Sequence, residues 1–166
     1  MNARAEIGQI TLEPFTEAHI TLRYLGWLND KNLMCYSEQR RKVHTRETAL
    51  AFLASMKGPS LFMAVMEGDQ HVGNVCAYVD AYNRVADLSI LIGEPGRGIG
   101  SVAWELAIAY TFARTGVRKI EAGTMATNDA MLTLFVKSGM AIEGRRYRHF
   151  MLGLTPVDLI QAAIFR

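Results

Sequence analysis

Residues 94–101, with the sequence EPGRGIGS, are the most informative segment of this chain. They follow directly on residues 85–92, where apolar side chains recur as in a β-strand, and they open a helical pattern that runs to about Arg114. Glycine lets the main chain turn tightly with no side chain in the way, and the first N–H groups of a helix have no partner within it. This order of strand, glycine loop and helix predicts a binding site for an anion such as a diphosphate.

Three kinds of phosphate ligand, and a glycine-rich connection that holds nothing, are the alternatives for such a loop. A Walker A loop needs four residues between its glycines and a Lys-Ser/Thr pair, and the sequence has neither. A dinucleotide fingerprint is weakened because Ser101 stands where its third glycine would fall, and only 65 residues remain for the rest of a Rossmann sheet. Coenzyme A makes the smallest demand on the sequence, because its diphosphate needs only one glycine loop and one helix to bind it.

The remaining periodicities give the order of elements along the chain. Strands are expected at residues 7–12, 61–66, 72–79, 85–92, 119–126, 141–151 and 157–165. Helices are expected at residues 18–28, after the N-cap Thr45, at residues 99–114, and from the N-cap Asn128 to Gly139. The order β-α-α-β-β-β-α-β-α-β-β predicts an α/β fold of one domain, residues 1–166, with helices on both faces of a mixed sheet.

A second motif lies at residues 128–140, NDAMLTLFVKSGM. Together the two motifs resemble those of the GNAT N-acetyltransferases, especially the branch of the ribosomal-protein acetyltransferases. In that family the loop has the form Gln/Arg-x-x-Gly-x-Gly/Ala, which residues 95–100 match except that Pro95 replaces the Gln or Arg. The second motif is similar to Asn-x-x-Ser/Ala followed by Leu-Tyr-x-Lys-x-Gly-Phe. The resemblance covers residues 12–165 and implies a GNAT-like fold, whose central sheet is mostly antiparallel and flanked by helices on both faces.

The resemblance implies acetyl-CoA as the cosubstrate and assigns residues to it. The strand before the loop would pair its backbone with the pantetheine arm, as an added strand would. The loop would hold the pyrophosphate, and the second motif would contact the cofactor where the following strand splays away. The residues assigned in this way are Ser89, Ile90, Leu91, Ile92, Gly96, Arg97, Gly98, Ile99, Gly100, Ser101, Asn128, Met131, Phe135 and Lys137.

In the reaction that this family performs, an amine attacks the thioester directly and must first lose a proton. A lysine-like amine, with a pKa of about 10.4, is almost fully protonated at neutral pH, so a base is needed. Asp87 is the first candidate because it lies on the strand beside the expected thioester, and His44 and Glu38, in the polar stretch before the second helix, are further candidates. Each also has a plainer interpretation. Asp87 could be a surface partner for Arg84, His44 could simply flank a helix cap, and Glu38 could form an ion pair with Arg40.

The leaving thiolate has no obvious proton donor in this sequence. Many similar enzymes carry a Tyr at the place of Phe135 or a Ser at the place of Met131, and neither residue here can donate a proton. The donor is then expected at Tyr82, at Tyr147 or in a water molecule, or the step proceeds without a donor. The missing donors also motivate a hypothesis of another class, a CoA-binding sensor or scaffold that has lost catalysis.

Two segments bear on the identity of the acceptor. Residues 36–45 and 122–125 resemble a sub-branch found with bacterial surface-polysaccharide enzymes, which favours a small-molecule amine, that of a nucleotide-linked amino sugar. Such an amine is less basic than that of lysine, and several arginines could meet the diphosphate. The alternative acceptor is the N-terminal amine of a protein such as a ribosomal protein. The arginines concerned are Arg40, Arg41, Arg145, Arg146 and Arg148.

Composition sets the remaining expectations. The chain has 166 residues and a formal net charge of +2, which does not indicate a nucleic-acid partner. The first residues do not have the pattern of a signal peptide and no apolar run is long enough to span a bilayer, so we expect a cytoplasmic protein with no membrane partner. Two cysteines do not make a disulfide framework, and the four histidines lack ligand spacing, so no metal is expected. The final β segments are of a kind that often supports a homodimer.

Overall fold

The computed structural model describes residues 9–166, and a seven-stranded sheet lies at its centre. The strands lie in the order β1-β2-β3-β4-β5-β7-β6. Every neighbouring pair is antiparallel except β4 and β5, which run parallel. The mixed sheet expected from the sequence is therefore confirmed. The strands are β1 (Ile10–Pro14), β2 (Leu61–Glu67), β3 (Gln70–Asp80), β4 (Val85–Ile92), β5 (Lys119–Met125), β6 (Ala141–Leu152) and β7 (Thr155–Phe165).

Four α-helices cover the two faces of the sheet: α1 (Leu22–Asn29), α2 (Arg46–Ser55), α3 (Ile99–Thr115) and α4 (Asp129–Lys137). The helices α3 and α4 pack on one face, where Trp104 and Phe135 are fully buried against strand residues such as Leu88. The helices α1 and α2 pack on the opposite face, called here the α1 face, over a second apolar cluster. That cluster takes its strand residues from β2, β3 and β4, chiefly Phe62, Ala64, Cys76 and Leu91.

Local signals in the sequence set the ends of most elements. Thr45 and Asn128 cap α2 and α4, since their side chains accept hydrogen bonds from the N–H groups of Thr48 and Met131. The first helix begins later than the expected residue 18, because Thr21 caps it and the preceding residues Glu17–His19 form a 3-10 turn. The first strand is described as Ile10–Pro14, and residues 7 and 8 of the expected strand lie outside the described residues.

The parallel pair β4 and β5 separates part of the way along. Pairing runs only from Val85–Asp87 of β4 to Lys119–Glu121 of β5. Beyond that point β5 continues along β7 to Met125, and β4 continues along β3 to Ile92. Within residues 9–166, no strand pairs with the β5-side edge of residues 88–92. The sheet therefore contains a wedge-shaped opening whose one wall is a free strand edge.

Candidate active site

The glycine loop stands at the open end of this wedge. Gly98 is the N-cap of α3 and has a φ of 85°, and Gly96 has a φ of 94°. Both angles lie in the left-handed region, which favours glycine over residues with a side chain. Gly98 has no side chain to cap the helix, and the first turn of α3 carries no acidic residue. The first N–H groups of α3 and its positive dipole end are therefore presented to an anion at the wedge.

Side chains behind the loop fix its shape. Arg97 donates two hydrogen bonds to Glu67, Nη1 to Oε2 at 2.7 Å and Nη2 to Oε1 at 2.8 Å. Its guanidinium is thus turned toward β2, and the bond to Glu67 raises the pKa of Arg97 further. On the α1 side, a Cβ added to Gly93 would lie 2.0 Å from the Trp27 ring. The chain that follows β4 is therefore in direct contact with α1.

The other cofactor residues expected from the sequence lie around the wedge. Ser89 is exposed, whereas Ile90 and Ile92 pack into the core on the α3 side and Leu91 into the core on the α1 face. Ile99 is buried, and the N–H of Ser101 donates to the Gly98 carbonyl at 3.2 Å. Gly100 is the second residue of α3, and an added Cβ there would be 3.7 Å from Ile92.

The head of α4 forms the opposite wall of the wedge. The Asn128 side chain accepts from the Met131 N–H at 3.2 Å, and its Nδ2 donates to Thr124 Oγ1 at 3.0 Å. Met131 is half-buried and Lys137 is exposed at the end of the helix. Phe135, at the place of the usual tyrosine, has no exposed surface and packs near Trp104. The contacts of these four residues with the cofactor stay predictions.

Asp87 lies where β4 and β5 begin to separate, on the α1 face. Its register partners are Glu121 on β5 and Tyr78 on β3. Although Asp87 reaches solvent, the surrounding protein and the Glu121 carboxylate raise its pKa to about 6, with burial the larger cause. The carboxylate is therefore mostly charged at neutral pH and can take up a proton close to it, as a general base must.

Polar side chains continue from Asp87 along β3 and β4 on the same face. Tyr78 is 46% exposed, and burial raises its pKa to about 12. Next to it lies the Cys76 thiol, which is buried and has its pKa raised to about 12. Sequence reasoning missed Glu121 and Tyr78 because their proximity to Asp87 comes from strand register. Exposed polar residues in the middle of a seven-stranded sheet mark an open cleft on this face.

The segment between α1 and α2, residues 30–44, is called here the roof segment. The Tyr36 hydroxyl donates to the Thr127 carbonyl at 2.9 Å, just before the N-cap of α4. Arg40 Nη2 donates to the Met151 carbonyl of β6 at 2.7 Å. The roof segment therefore crosses the α1 face from α1 to the β5 and β6 side, over the part of the sheet that α1 and α2 leave uncovered.

His44 and Glu38, the two further candidates for the base, belong to the roof segment. His44 Nε2 lies 3.1 Å from the Gln39 carbonyl, and its backbone exchanges two hydrogen bonds with the Asn29 side chain. Glu38 makes ion pairs with Arg40 at 2.7 Å and Arg41 at 2.8 Å. Both side chains thus have partners within or beside the segment, and their catalytic roles stay predictions.

The two tyrosines expected as proton donors are both exposed. Tyr82 is 95% exposed in the turn before β4, at the end of that strand away from the glycine loop. Tyr147 is 77% exposed on β6, where the Arg145 guanidinium lies 5.3 Å from its ring. The role of either hydroxyl as the donor to the thiolate stays a prediction.

Comparison with known proteins identifies the fold and the family. The profile of the acetyltransferase (GNAT) domain matches residues 9–141. The chain belongs to the GNAT acetyltransferase family. It is therefore an acetyl-CoA-dependent N-acetyltransferase and not a dinucleotide-binding protein. A search of curated proteins found no match.

Solved GNAT structures share the fold over nearly the whole chain. A spermidine N-acetyltransferase from Vibrio cholerae, in complex with CoA and spermine, is 20% identical with a TM-score of 0.83, and 95% of each chain is covered. RimL, a ribosomal alpha-N-protein acetyltransferase in complex with coenzyme A, is 16% identical with a TM-score of 0.84, and 96% of each chain is covered. Mycobacterium smegmatis RimJ is 16% identical with a TM-score of 0.80, covering 96% of this chain and 83% of that one.

The described residues fit acetyl-CoA. The glycine cradle at α3 and the free edge of β4 are the two features that a diphosphate and an extended pantetheine arm require. Among residues 9–166, no three His, Cys, Asp or Glu side chains come together as a group that could hold a metal ion. None of the helices described here is long and apolar enough to cross a membrane.

Proposed function

We propose that this GNAT enzyme acetylates the primary amine of a nucleotide-linked amino sugar, with Asp87 as the general base. The observation that carries the proposal is the position of Asp87. It is a solvent-reachable carboxylate with a raised pKa, placed where the free edge of β4 begins. We further propose that one domain performs the reaction in the cytoplasm, where its two free cysteines, Cys35 and Cys76, would stay reduced.

The residues around the wedge have distinct roles in this proposal. The glycine loop and the first turn of α3 bind the pyrophosphate, and the backbone of residues 88–92 holds the pantetheine arm in line with β4. Acetyl-CoA supplies the acetyl group when bound. Asp87 attracts the ammonium form of the acceptor, takes its proton directly or through a water molecule, and leaves a neutral amine facing the wedge.

The strength of the base supports an amine of low basicity. Asp87, with a pKa of about 6, takes a proton more easily from an amino-sugar ammonium than from a lysine-like ammonium of pKa about 10.4. Oxygen substituents on neighbouring carbons draw electrons from the sugar nitrogen and lower its basicity. A sugar amine therefore gives up its proton more readily to a base as weak as Asp87.

A panel of amines tests this proposal. Release of free thiol from acetyl-CoA is measured with UDP- and dTDP-linked amino sugars, a peptide with a free N-terminus, and spermidine. We expect the highest kcat/KM with a nucleotide-linked sugar. A higher kcat/KM with the peptide or with spermidine would reject the sugar as the acceptor.

A protein N-terminus remains the second candidate, on one specific observation. Three of the five arginines expected to meet a diphosphate are engaged by acids: Arg40 and Arg41 by Glu38, and Arg145 by Asp158. A site with less free positive charge suits a peptide better. An α-amine, with a pKa of about 7.7–8.0, also suits the base.

We also propose a homodimer formed through β6. This strand is at the edge of the sheet, and Ile142 and Tyr147 on it are 57% and 77% exposed. Exposed edge strands pair readily with another copy. Sedimentation should give twice the mass of the chain, and a monomer at micromolar concentration would contradict the dimer.

A further inference from the structure

The surface of the sheet beyond Asp87 has a defined order of residues on the α1 face. Glu121, Gly123 and Met125 share that face of β5, since Glu121 pairs with Asp87 and the strand is regular. Across β5, register places Gln161 beside Gly123 and Leu159 beside Met125 on β7. On this surface Gly123 is exposed and Gln161 is half-buried, whereas Met125 and Leu159 are buried.

Register carries the same face to β6 and singles out one arginine. Arg146 pairs with Leu159, so it lies on the α1 face, whereas Arg145 pairs with Ile160 and lies on the opposite face. A bulge between Arg146 and Phe150 follows directly and resets the alternation of the strand. Sequence alone could not distinguish the two neighbouring arginines.

The ion pairs make the same distinction. Asp158 binds Arg145 through Nε at 2.6 Å and also accepts the Arg148 N–H at 2.7 Å. Asp158 alternates with Leu159 along β7, so this acidic partner is on the side away from the cleft. Arg146 is exposed, and within residues 9–166 its guanidinium has neither an ion pair nor a hydrogen bond. An arginine in this state can bind an anionic group of a ligand with two donors.

The distance from Arg146 to Asp87 sets the length of that ligand. The two residues are separated by three steps from strand to strand. Arg146 and Met125 both pair with Leu159, and Met125 is four residues beyond Glu121, the partner of Asp87. With about 4.8 Å between strands and about 3.3 Å per residue, their Cα atoms are roughly 20 Å apart. An arginine side chain shortens this gap, but a single hexose ring does not bridge it. A sugar that carries a diphosphate and a nucleoside does.

We propose that Arg146 binds the diphosphate of the acceptor while Asp87 holds its amine, so that Arg146 selects nucleotide-linked sugars over free amino sugars. The Gln161 amide lies between the two and faces the sugar. The roof segment, attached at Thr127 and at Met151, encloses the acceptor from above. This inference rests on the proposed function, because it names the group that recognises the same acceptor.

The experiment compares Arg146→Gln with wild type on the nucleotide-linked sugar and on the matching amino sugar without its nucleotide. We expect KM for the linked sugar to rise about ten- to a hundredfold, as for a lost charge-assisted hydrogen bond. The KM for the free sugar and for acetyl-CoA should not change. Arg145→Gln is the matched control, since its side chain is on the other face, and Arg146→Lys should restore part of the affinity. Thermal midpoints establish that all variants are folded.

The outcomes separate this inference from the proposed function. An equal effect of Arg146→Gln on linked and free sugars, or no effect on either, overturns the role of Arg146 and leaves a sugar acceptor in place. If wild type prefers the free sugar to the linked one, the diphosphate is not recognised and the role of Arg146 fails. A wild-type enzyme that acetylates a peptide and no sugar overturns the proposed function itself.

Discussion

Substitution of Asp87 by asparagine removes the carboxylate at the point where β4 and β5 separate, and it keeps the shape of the side chain nearly unchanged. General base catalysis contributes about 10²- to 10⁴-fold, so kcat should fall by that factor while KM for acetyl-CoA changes little. In wild type, protonation of Asp87 should also limit the rate. Because its pKa is about 6, kcat/KM should fall about tenfold per pH unit below pH 6 and level off above it.

Glu121 allows the cause of this acid limb to be tested. Its carboxylate is the second cause of the raised pKa, so Glu121→Gln should move the limb to lower pH but not to the ordinary range of an aspartate, because burial remains. Glu143→Gln is a matched control, since Glu143 binds the same Lys119 at 2.7 Å without facing Asp87. The acceptor amine gives its own limb at higher pH, which all variants share.

The assay is the pH profile of thiol release for wild type and the three variants. An Asp87→Asn enzyme that keeps its activity within about threefold, or a limb near pH 6 that does not move in Glu121→Gln, would refute Asp87 as the base. Stability provides an independent check. A folded pKa above the unfolded value means that stability is lost as pH rises between about 4 and 6. Asp87→Asn should therefore have the higher thermal midpoint at pH 8, and the difference should vanish near pH 4.

Two further predictions concern the segments around the cleft, the one after β4 and the roof segment. Gly93→Ala should lower the free energy of unfolding in urea by about 1–3 kcal/mol and weaken acetyl-CoA binding, because its Cβ would be 2.0 Å from the rigid Trp27 ring. Gly26→Ala is the control: its Cβ would have no atom within 4 Å, so it should not destabilise the protein. Tyr36→Phe removes the hydrogen bond to the Thr127 carbonyl. It should raise KM for the acceptor about two- to tenfold and leave kcat nearly unchanged. An unchanged KM would mean that the roof segment does not enclose the acceptor.

Much of the fold could be predicted because local patterns determine it. The strand Val85–Ile92 was predicted with its exact bounds, since its alternation is regular and a glycine loop ends it. The caps Thr45 and Asn128 were also correct, because a cap depends on side chains only a few residues apart. Helix α3 shows the limit of such reasoning. Its apolar residues recur on two sides, yet Leu106 is 37% exposed, because the sheet is on one side of the helix only.

The site was less accessible to sequence reasoning because it depends on contacts between distant strands. Glu121 comes to face Asp87 only through the crossover by α3, whose length does not reveal the register of the parallel pair. Arg145 and Arg146 lie on opposite faces as neighbours in a strand, but only the register of β6 on β7 shows which of them faces the cleft. His44 was proposed from its type and its place in the polar stretch before the second helix, and its neighbours in space are Gln39 and Asn29.

The central claim is that the loop at Gly98 binds the pyrophosphate of acetyl-CoA, and a thermal-shift titration of three proteins tests it most directly. At a hundred times its Kd, acetyl-CoA should stabilise wild type by about 2.7 kcal/mol, and NAD should not stabilise it. Gly98→Asn and Gly98→Asp impose the same backbone strain at a φ of 85° and differ only in charge. The asparagine variant should keep part of the acetyl-CoA shift, and the aspartate variant should lose it. An undiminished shift in Gly98→Asp, or stabilisation of wild type by NAD in place of acetyl-CoA, would contradict it.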